Sequence, residues 1–309
     1  MISIRTIDAL HFEPGSRVFY RVDYNVPLDE GRISDATRIE ETLGTLRLLR
    51  ERGAAIVVAS HLGRPKGKVN DEYSLRPVRE KLAELIGIDV RWGGDCTSKD
   101  ARDAADALKP GEILLLENLR FHAGEEKNDT AFAEQLRGLG SIYVNDAFGA
   151  SHRAHASIDA LPRLFDKEHA AGGLLLAREL QFLQKVTGEA EHPFVALLGG
   201  AKIAGKIEPL EALVKHADLV LIGGGMANTF LAAGGTKMGG SLVDEESLEV
   251  ARRIVAAKGA AIVLPIDLVV ADSLENPTRV RTIDVSRGLS AGERRSTSGR
   301  SPSPATPRN

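Results

Sequence analysis

One cysteine, Cys96, stands in 309 residues, so no intramolecular disulfide framework staples this chain. An excess of one charge sign is also missing. With 40 basic against 43 acidic residues and a net charge of -3, nothing points to the clustered cationic surplus of a nucleic-acid-binding surface, and any anion site must be local. No apolar run approaches the ~20 residues that cross a bilayer. The opening MISIRTIDALHFEPG has no basic stretch followed by an apolar one, so no secretory signal is expected and the protein is expected in the cytoplasm. What is present is an ordinary soluble composition, 43% hydrophobic and 27% charged, in a length that suits two domains.

Along the chain, short β-branched runs alternate with amphipathic stretches. RVFYRVDYN (17–25), AAIVVASHL (54–62), EILLLENLR (112–120) and SIYVNDAFG (141–149) have the apolar density of strands. Between them lie helical patterns at 35–53, 74–87 and 129–140, with Asp35 and Ser74 at cap positions and Gly53, Gly87 and Gly140 where helices should stop. A long helical stretch (174–188) connects to a second series: FVALLGG (194–200), DLVLIGGG (218–225) and AAIVLPIDLVV (260–270), again separated by helices. Strands this apolar, spaced by helices, predict α/β architecture: two doubly wound domains built on mostly parallel sheets. The boundary is expected near residue 170, giving domains over 1–170 and 171–284. Beyond residue 285 the sequence is rich in Ser, Arg and Pro and poor in aliphatic residues, which predicts a disordered tail over 285–309.

In open parallel sheets ligands bind beyond the carboxyl ends of the strands, so the residues that follow each apolar run are the informative ones. In the first domain they are Asp23 and Asn25, then His61 and Arg64, then Arg120 with His122, then His152 and Arg153. Arg38 opens the first helix near the same edge. Each arginine alone reads as a surface ion pair, but several converging guanidinium groups suit a small ligand with more than one anionic group. Asp23 either orients an arginine or accepts from a substrate hydroxyl. His61, His152 and His155 have no Cys or carboxylate partner at zinc spacing, so no metal is expected on them.

In the second domain GGAKIAGK (199–206) nearly spells a phosphate-binding loop, but Ile207 stands where a P-loop needs a hydroxyl to ligate Mg²⁺. Lys202 and Lys206, four apart at the expected start of a helix, are predicted to share one helical face beside N–H groups suited to anions. Gly223, Gly224 and Gly225 follow the next strand and would let a flat ring or a phosphate approach the backbone.

Taken together, RVDYNVP (21–27), SHLGRPKG (60–67), LLENLRFHAGEE (115–126), VNDAFGASHRAHAS (144–157), LLGGAKIAGKI (197–207), GGGMANTF (223–230) and LPID (264–267) resemble phosphoglycerate kinase in order and separation. The resemblance covers residues from about 5 to about 283. It implies reversible, glycolytic phosphoryl transfer between 1,3-bisphosphoglycerate and Mg-ADP, giving 3-phosphoglycerate and Mg-ATP, by a cytoplasmic monomer. Asp23, Asn25, Arg38, His61, Arg64, Arg120 and Arg153 would form the phosphoglycerate site. Lys202 and Lys206 would meet the nucleotide phosphates or the transferred group, and Gly223 to Gly225 would line the adenine pocket. Arg38, Lys202 and Lys206, with the Mg²⁺ carried by the nucleotide, are the expected catalytic groups once hinge closure joins the two sites. A carboxylate nucleophile is ionised at pH 7, so the chemistry asks for charge stabilisation rather than a general base.

Family members continue through a Trp-Asn-Gly-Pro segment, a Gly-Gly-Gly-Asp-Ser/Thr loop that meets the nucleotide phosphates and Mg²⁺, and a segment returning to the first domain. None of these occurs in this sequence, whose sole tryptophan is Trp92. A frameshift or gene-model error after about residue 283 is the expectation. It predicts an open sheet edge, weak triose-phosphate binding, feeble ATP binding and little or no turnover; the alternative is a catalytically dead phosphoglycerate-binding remnant.

Overall fold

The computed structural model describes residues 4–187, 190–203, 205–257, 259 and 261–295. The chain divides into two compact units, residues 1–184 and 185–309. Unit 1 carries β1 (Arg17–Arg21), a small hairpin of β2 (Leu28–Asp29) and β3 (Arg32–Ile33), α1 (Thr37–Glu40), α2 (Leu43–Glu51) and β4 (Ala55–Ala59). It continues with α3 (Arg76–Ile86), β5 (Val90–Gly94), α4 (Lys99–Asp106), β6 (Ile113–Leu116), α5 (Ala123–Glu126), α6 (Thr130–Arg137), β7 (Ile142–Asn145), β8 (Ala170–Gly172) and the start of α7 (Leu174–Thr187).

Six of these strands form one parallel sheet in the order β5-β6-β4-β1-β7-β8. Successive side chains on a strand point to opposite faces, and here both faces are buried. Ile56 and Val58 of β4 enter one core with Val18, Tyr20, Ile113 and Leu115, whereas Ala55, Val57 and Ala59 enter the other with Phe19, Leu114 and Leu116. That is why the strands read as unbroken apolar runs. Two of the helices between them start on side-chain caps: Ser98 accepts from Ala101 N at 3.0 Å, and Asp129 from Phe132 N at 2.8 Å, whereas the N-cap positions of α1 and α3 fall on Ala36 and Leu75, one residue after the expected Asp35 and Ser74. β5 and β8, the two edge strands, carry weak apolar patterns, and neither stands out from the sequence.

The start of α7 is fastened inside unit 1 by buried acceptors. Thr45 Oγ1 accepts from Leu174 N and Asp146 Oδ1 from Leu176 N, both at 2.9 Å. Tyr20 donates to the other Asp146 oxygen at 2.6 Å. Desolvation raises the Asp146 pKa above its ordinary value, and these donors oppose the shift by favouring the ionised form.

Unit 2 comprises β9 (Val195–Leu198), α8 (Ile207–His216), β10 (Leu219–Ile222), α9 (Gly224–Ala233), α10 (Leu248–Ala256), β11 (Ala261–Val263), β12 (Asp267–Ala271), β13 (Val280–Asp284) and β14 (Arg294–Arg295). A parallel three-stranded sheet, β11-β10-β9, packs one face on α8, α9 and α10 through Ala196, Val220, Ile222, Leu210, Phe230 and Ile254. Two sequence expectations change here. AAIVLPIDLVV is not one strand: it breaks around Pro265 into β11 and β12, and β12 joins β13 and β14 in a separate antiparallel sheet. Pro has no N–H to give a ladder, which suits the break. The expected disorder from residue 285 does not begin there either. Val285–Arg287 forms a 3₁₀ turn capped by Asp284, Leu289 is buried, and β14 pairs with β12. Residues 296–309 of the expected tail lie outside the described residues.

Candidate functional site

β6, β4, β1 and β7 are neighbours in the parallel sheet, so their carboxyl ends open on one edge. Asp23 and Asn25 follow β1, His61 and Arg64 follow β4, Arg120 follows β6 and Arg153 follows β7. Asp23 accepts from Arg38 Nη1 at 2.7 Å, so its carboxylate aims a guanidinium that remains half exposed. Asn25 Oδ1 accepts from Gly63 N at 2.8 Å, and Gly63 O accepts from Arg120 Nη1 at 2.8 Å. Gly63 therefore joins three strand ends through its backbone. Its φ of +61° and the Tyr73 ring, 2.3 Å from where a Cβ would sit, leave room for no other residue.

Arg120 is buried and its Nε has no hydrogen-bond partner, with Glu126 Oε1 the nearest opposite charge at 3.6 Å. Desolvation lowers its pKa, and positive Arg21 and Arg153 nearby push in the same direction. Arg64 is exposed and makes no hydrogen bond or ion pair among the described residues, while exposed Arg153 meets His152 Nε2 at 3.2 Å. The edge thus presents four cationic forks, only one of which, Arg38, has a carboxylate within close hydrogen-bond range.

His61 is 4% exposed and behaves differently. Desolvation, then the guanidinium groups of Arg21 and Arg120, push its pKa down to about 2, so the ring is neutral at physiological pH. Arg21 Nη2 lies 3.3 Å from His61 Nδ1, and a guanidinium only donates, so Nδ1 accepts and the proton sits on Nε2. That N–H faces Asp23 Oδ1 across 3.9 Å. His61 is therefore a fixed neutral donor at the sheet edge rather than a third kind of positive charge.

Arg21 is the residue that sequence reasoning missed. It is fully buried at the end of β1, donates to Ser157 Oγ at 2.7 Å and pairs with Glu125 at 3.8 Å. Glu125, also fully buried, accepts from Ser157 N at 2.9 Å and from its hydroxyl at 2.6 Å. This knot anchors the segment after Arg153 and orients His61. An arginine inside an apolar strand, RVFYR, was the available signal.

In unit 2, Lys202 and Lys206 do not share a helical face as the spacing predicts. α8 starts at Ile207, Lys206 is the residue before it, and Gly205 sits at φ +78°, outside the helical region. Lys206 Nζ instead folds over Gly200, 2.7 Å from where a Cβ would sit. Gly224 and Gly225 are tight for a different reason from ligand approach: the backbone of Gly200 and Ala201 lies 2.9–3.1 Å from their missing Cβ atoms. Gly223 has only Leu198 O within reach, at 3.7 Å. Gly200, Ala201, Gly224 and Gly225 line one side of a cavity of about 450 Å³, with Leu242 and Arg295 among the other walls. Arg295 donates to Gly224 O at 2.7 Å and to Asn228 Oδ1 at 3.0 Å. No carboxylate lines this cavity among the described residues, so its walls hold no ligand set for Mg²⁺.

The family profile of phosphoglycerate kinase matches residues 7–294. The chain belongs to the phosphoglycerate kinase family. The phosphoglycerate kinase of Nautilia profundicola is 48% identical over 278 residues, which cover 89% of this chain and 70% of that protein. That of Desulforudis audaxviator is 49% identical over 286 residues, covering 92% and 71%. The solved phosphoglycerate kinase of Coxiella burnetii superposes with a TM-score of 0.80 at 34% identity, over 95% of this chain and 74% of that one. The enzyme class is accordingly a kinase. The match runs to residue 294, past Asp284, where the sequence reading expects the resemblance to stop.

Proposed function

We propose that the sheet edge of unit 1 binds 3-phosphoglycerate and 1,3-bisphosphoglycerate, and that the GGAKIAGK turn and cavity of unit 2 bind ADP and ATP, for reversible phosphoryl transfer between them in glycolysis. The observation that carries this is the cluster of Arg38, Arg64, Arg120 and Arg153 beside Asp23, Asn25 and neutral His61, in a family of phosphoglycerate kinases. Bidentate guanidinium groups suit phosphate and carboxylate together. His61 Nε2–H and Asn25 supply neutral polar contacts that tell such a ligand from plain phosphate.

In the direction of ATP consumption, the carboxylate of 3-phosphoglycerate is ionised and attacks without a base. Arg38, Lys202 and Lys206 are the groups for the equatorial charge of a loose transition state. Mg²⁺ would arrive bound to the nucleotide phosphates, since no carboxylate lines the cavity among the described residues. We read the chain as a cytoplasmic monomer, as the family resemblance implies; no described helix is long and apolar enough to cross a membrane.

The 309-residue chain itself is read as a poor catalyst. It spans 70–74% of the relatives named above, contains no Gly-Gly-Gly-Asp loop, and leaves Val195, Leu197, Val263 and Ile266 of unit 2 exposed. Titration calorimetry tests both parts. The expected result is binding of 3-phosphoglycerate, loss of affinity by about tenfold or more in Arg38→Met through the loss of a charge-assisted contact, and feeble binding of Mg-ATP. Turnover in a coupled assay at rates ordinary for kinases, on the order of 1–100 per second, refutes the second part; 3-phosphoglycerate binding unchanged by Arg38→Met refutes the first.

A further inference from the structure

Asp95, Cys96 and His122 bring three different metal-ligand types together beyond the carboxyl ends of β5 and β6, at the β5 end of the sheet edge described above. One donor atom from each lies within 4.8 Å of the others. Asp95 and Cys96 form the turn between β5 and α4, and His122 follows the 3₁₀ turn that carries Arg120. The two segments are held in register by β5 and β6, which pair in parallel up to Gly94 and Leu116. Local contacts fix each donor. Asp95 Oδ1 accepts from Thr97 N and Thr97 Oγ1 at 2.8 Å and lies 2.9 Å from His122 Nε2. The His122 ring stacks on Phe132 with centroids 5.2 Å apart. Asp95 is exposed and His122 half-buried, so an ion reaches the group from solvent, while the Cys96 sulfur closes it from beneath.

We propose that Asp95, Cys96 and His122 form a three-ligand zinc site whose fourth position is left to water. The donor set mixes thiolate, imidazole and carboxylate, which suits Zn²⁺ over the oxygen-preferring Mg²⁺ and Ca²⁺. Tetrahedral zinc with bonds of about 2.0–2.3 Å places its donors roughly 3.3–3.8 Å apart, so side-chain adjustments of about an ångström close the site. Burial, then the charges of Asp95 and Glu125, push the Cys96 thiol pKa up, so an incoming ion must displace a firmly held proton, while the same carboxylates attract the cation. Binding replaces the thiol proton with the metal and releases that proton to solvent. The loaded site pins the segment that begins at Arg120.

The test uses the whole chain and cobalt(II) as a spectroscopic stand-in for zinc. The expected results are one-to-one uptake with a thiolate-to-cobalt charge-transfer band, its displacement by Zn²⁺, and proton release on Zn²⁺ uptake, seen by calorimetry in buffers of different ionisation enthalpy. Cys96→Ser should abolish the band, and His122→Gln, at a half-buried position, should weaken uptake about tenfold or more. Both variants are checked for folding by Trp92 fluorescence. Absence of a stoichiometric band in the unsubstituted chain overturns the proposal, as does a band that survives Cys96→Ser or affinity that survives His122→Gln.

Discussion

His61 makes the stability of unit 1 depend on pH in a direction and amount that follow from its surroundings. In the unfolded chain the imidazole titrates near its ordinary value of 6.5; in the folded unit burial and the guanidinium groups of Arg21 and Arg120 hold it down to about 2. The unfolded state therefore binds the extra proton between these values and the native state does not, so stability is intact above pH 6.5 and falls as pH drops toward 2. Each pH unit in that window costs about 1.4 kcal/mol, giving roughly 1.3 kcal/mol between pH 7.5 and 5.5 and about twice that by pH 4.5. His155, also lowered by desolvation, acts in the same sense. A difference measurement isolates His61. Trp92, the single tryptophan, lies on β5 with the Arg76 guanidinium 4.9 Å from its ring, so its fluorescence reports unfolding of unit 1. Urea titrations of the unsubstituted chain and of His61→Gln, at pH 7.5 and 5.5, should show a midpoint drop that is smaller in the variant by about 0.5 M, given slopes of roughly 2–3 kcal/mol per M. Equal drops in the two proteins would refute the claim that a neutral, desolvated His61 carries this pH dependence.

Glu125→Ala leaves Arg21 buried without its carboxylate, and breaking a buried pair in this way should cost about 3–5 kcal/mol of unit 1 stability in the same urea assay; a loss under 1 kcal/mol contradicts the anchoring role given to the pair. Gly63→Ala forces a side chain into a left-handed turn and against the Tyr73 ring, so a destabilisation of about 1–3 kcal/mol is expected, with 3-phosphoglycerate affinity falling alongside it because Asn25 and Arg120 lose their shared anchor. Normal affinity in a Gly63→Ala variant with the expected loss of stability would separate the turn from the site.

The candidate edge is legible in the sequence because parallel strands put their carboxyl ends on one side, so a polar residue after an apolar run has a known address. Asp23, His61, Arg120 and Arg153 are placed by that rule. The rule is silent about charge state. Nothing in SHLGRPKG says that His61 is neutral, since that depends first on its burial and then on Arg21, forty positions away in sequence and brought to 3.3 Å by the pairing of β1 with β4. Lys202 and Lys206 fail for a local reason: spacing of four implies a shared face only within a helix, and Gly205 at φ +78° keeps the turn out of one.

The contrast between the two sheets also follows from side-chain alternation. In β4 every residue is buried, because helices cover both faces, and its sequence AIVVA has no polar interruption. β9 reads VALL, just as apolar, yet Ala196 is buried while Leu197 is 80% exposed and Val195 also lies open. An alternating strand covered on one face has little reason to carry Leu or Val on the other, so the composition of β9 was selected for a sheet buried on both sides. Among the described residues nothing covers that second face, and an exposed strand face flanking the GGAKIAGK turn is where the nucleotide half of the proposed site is weakest. The phosphoglycerate half has no such deficit, since the strands that aim Asp23, His61, Arg120 and Arg153 are buried on both sides within unit 1.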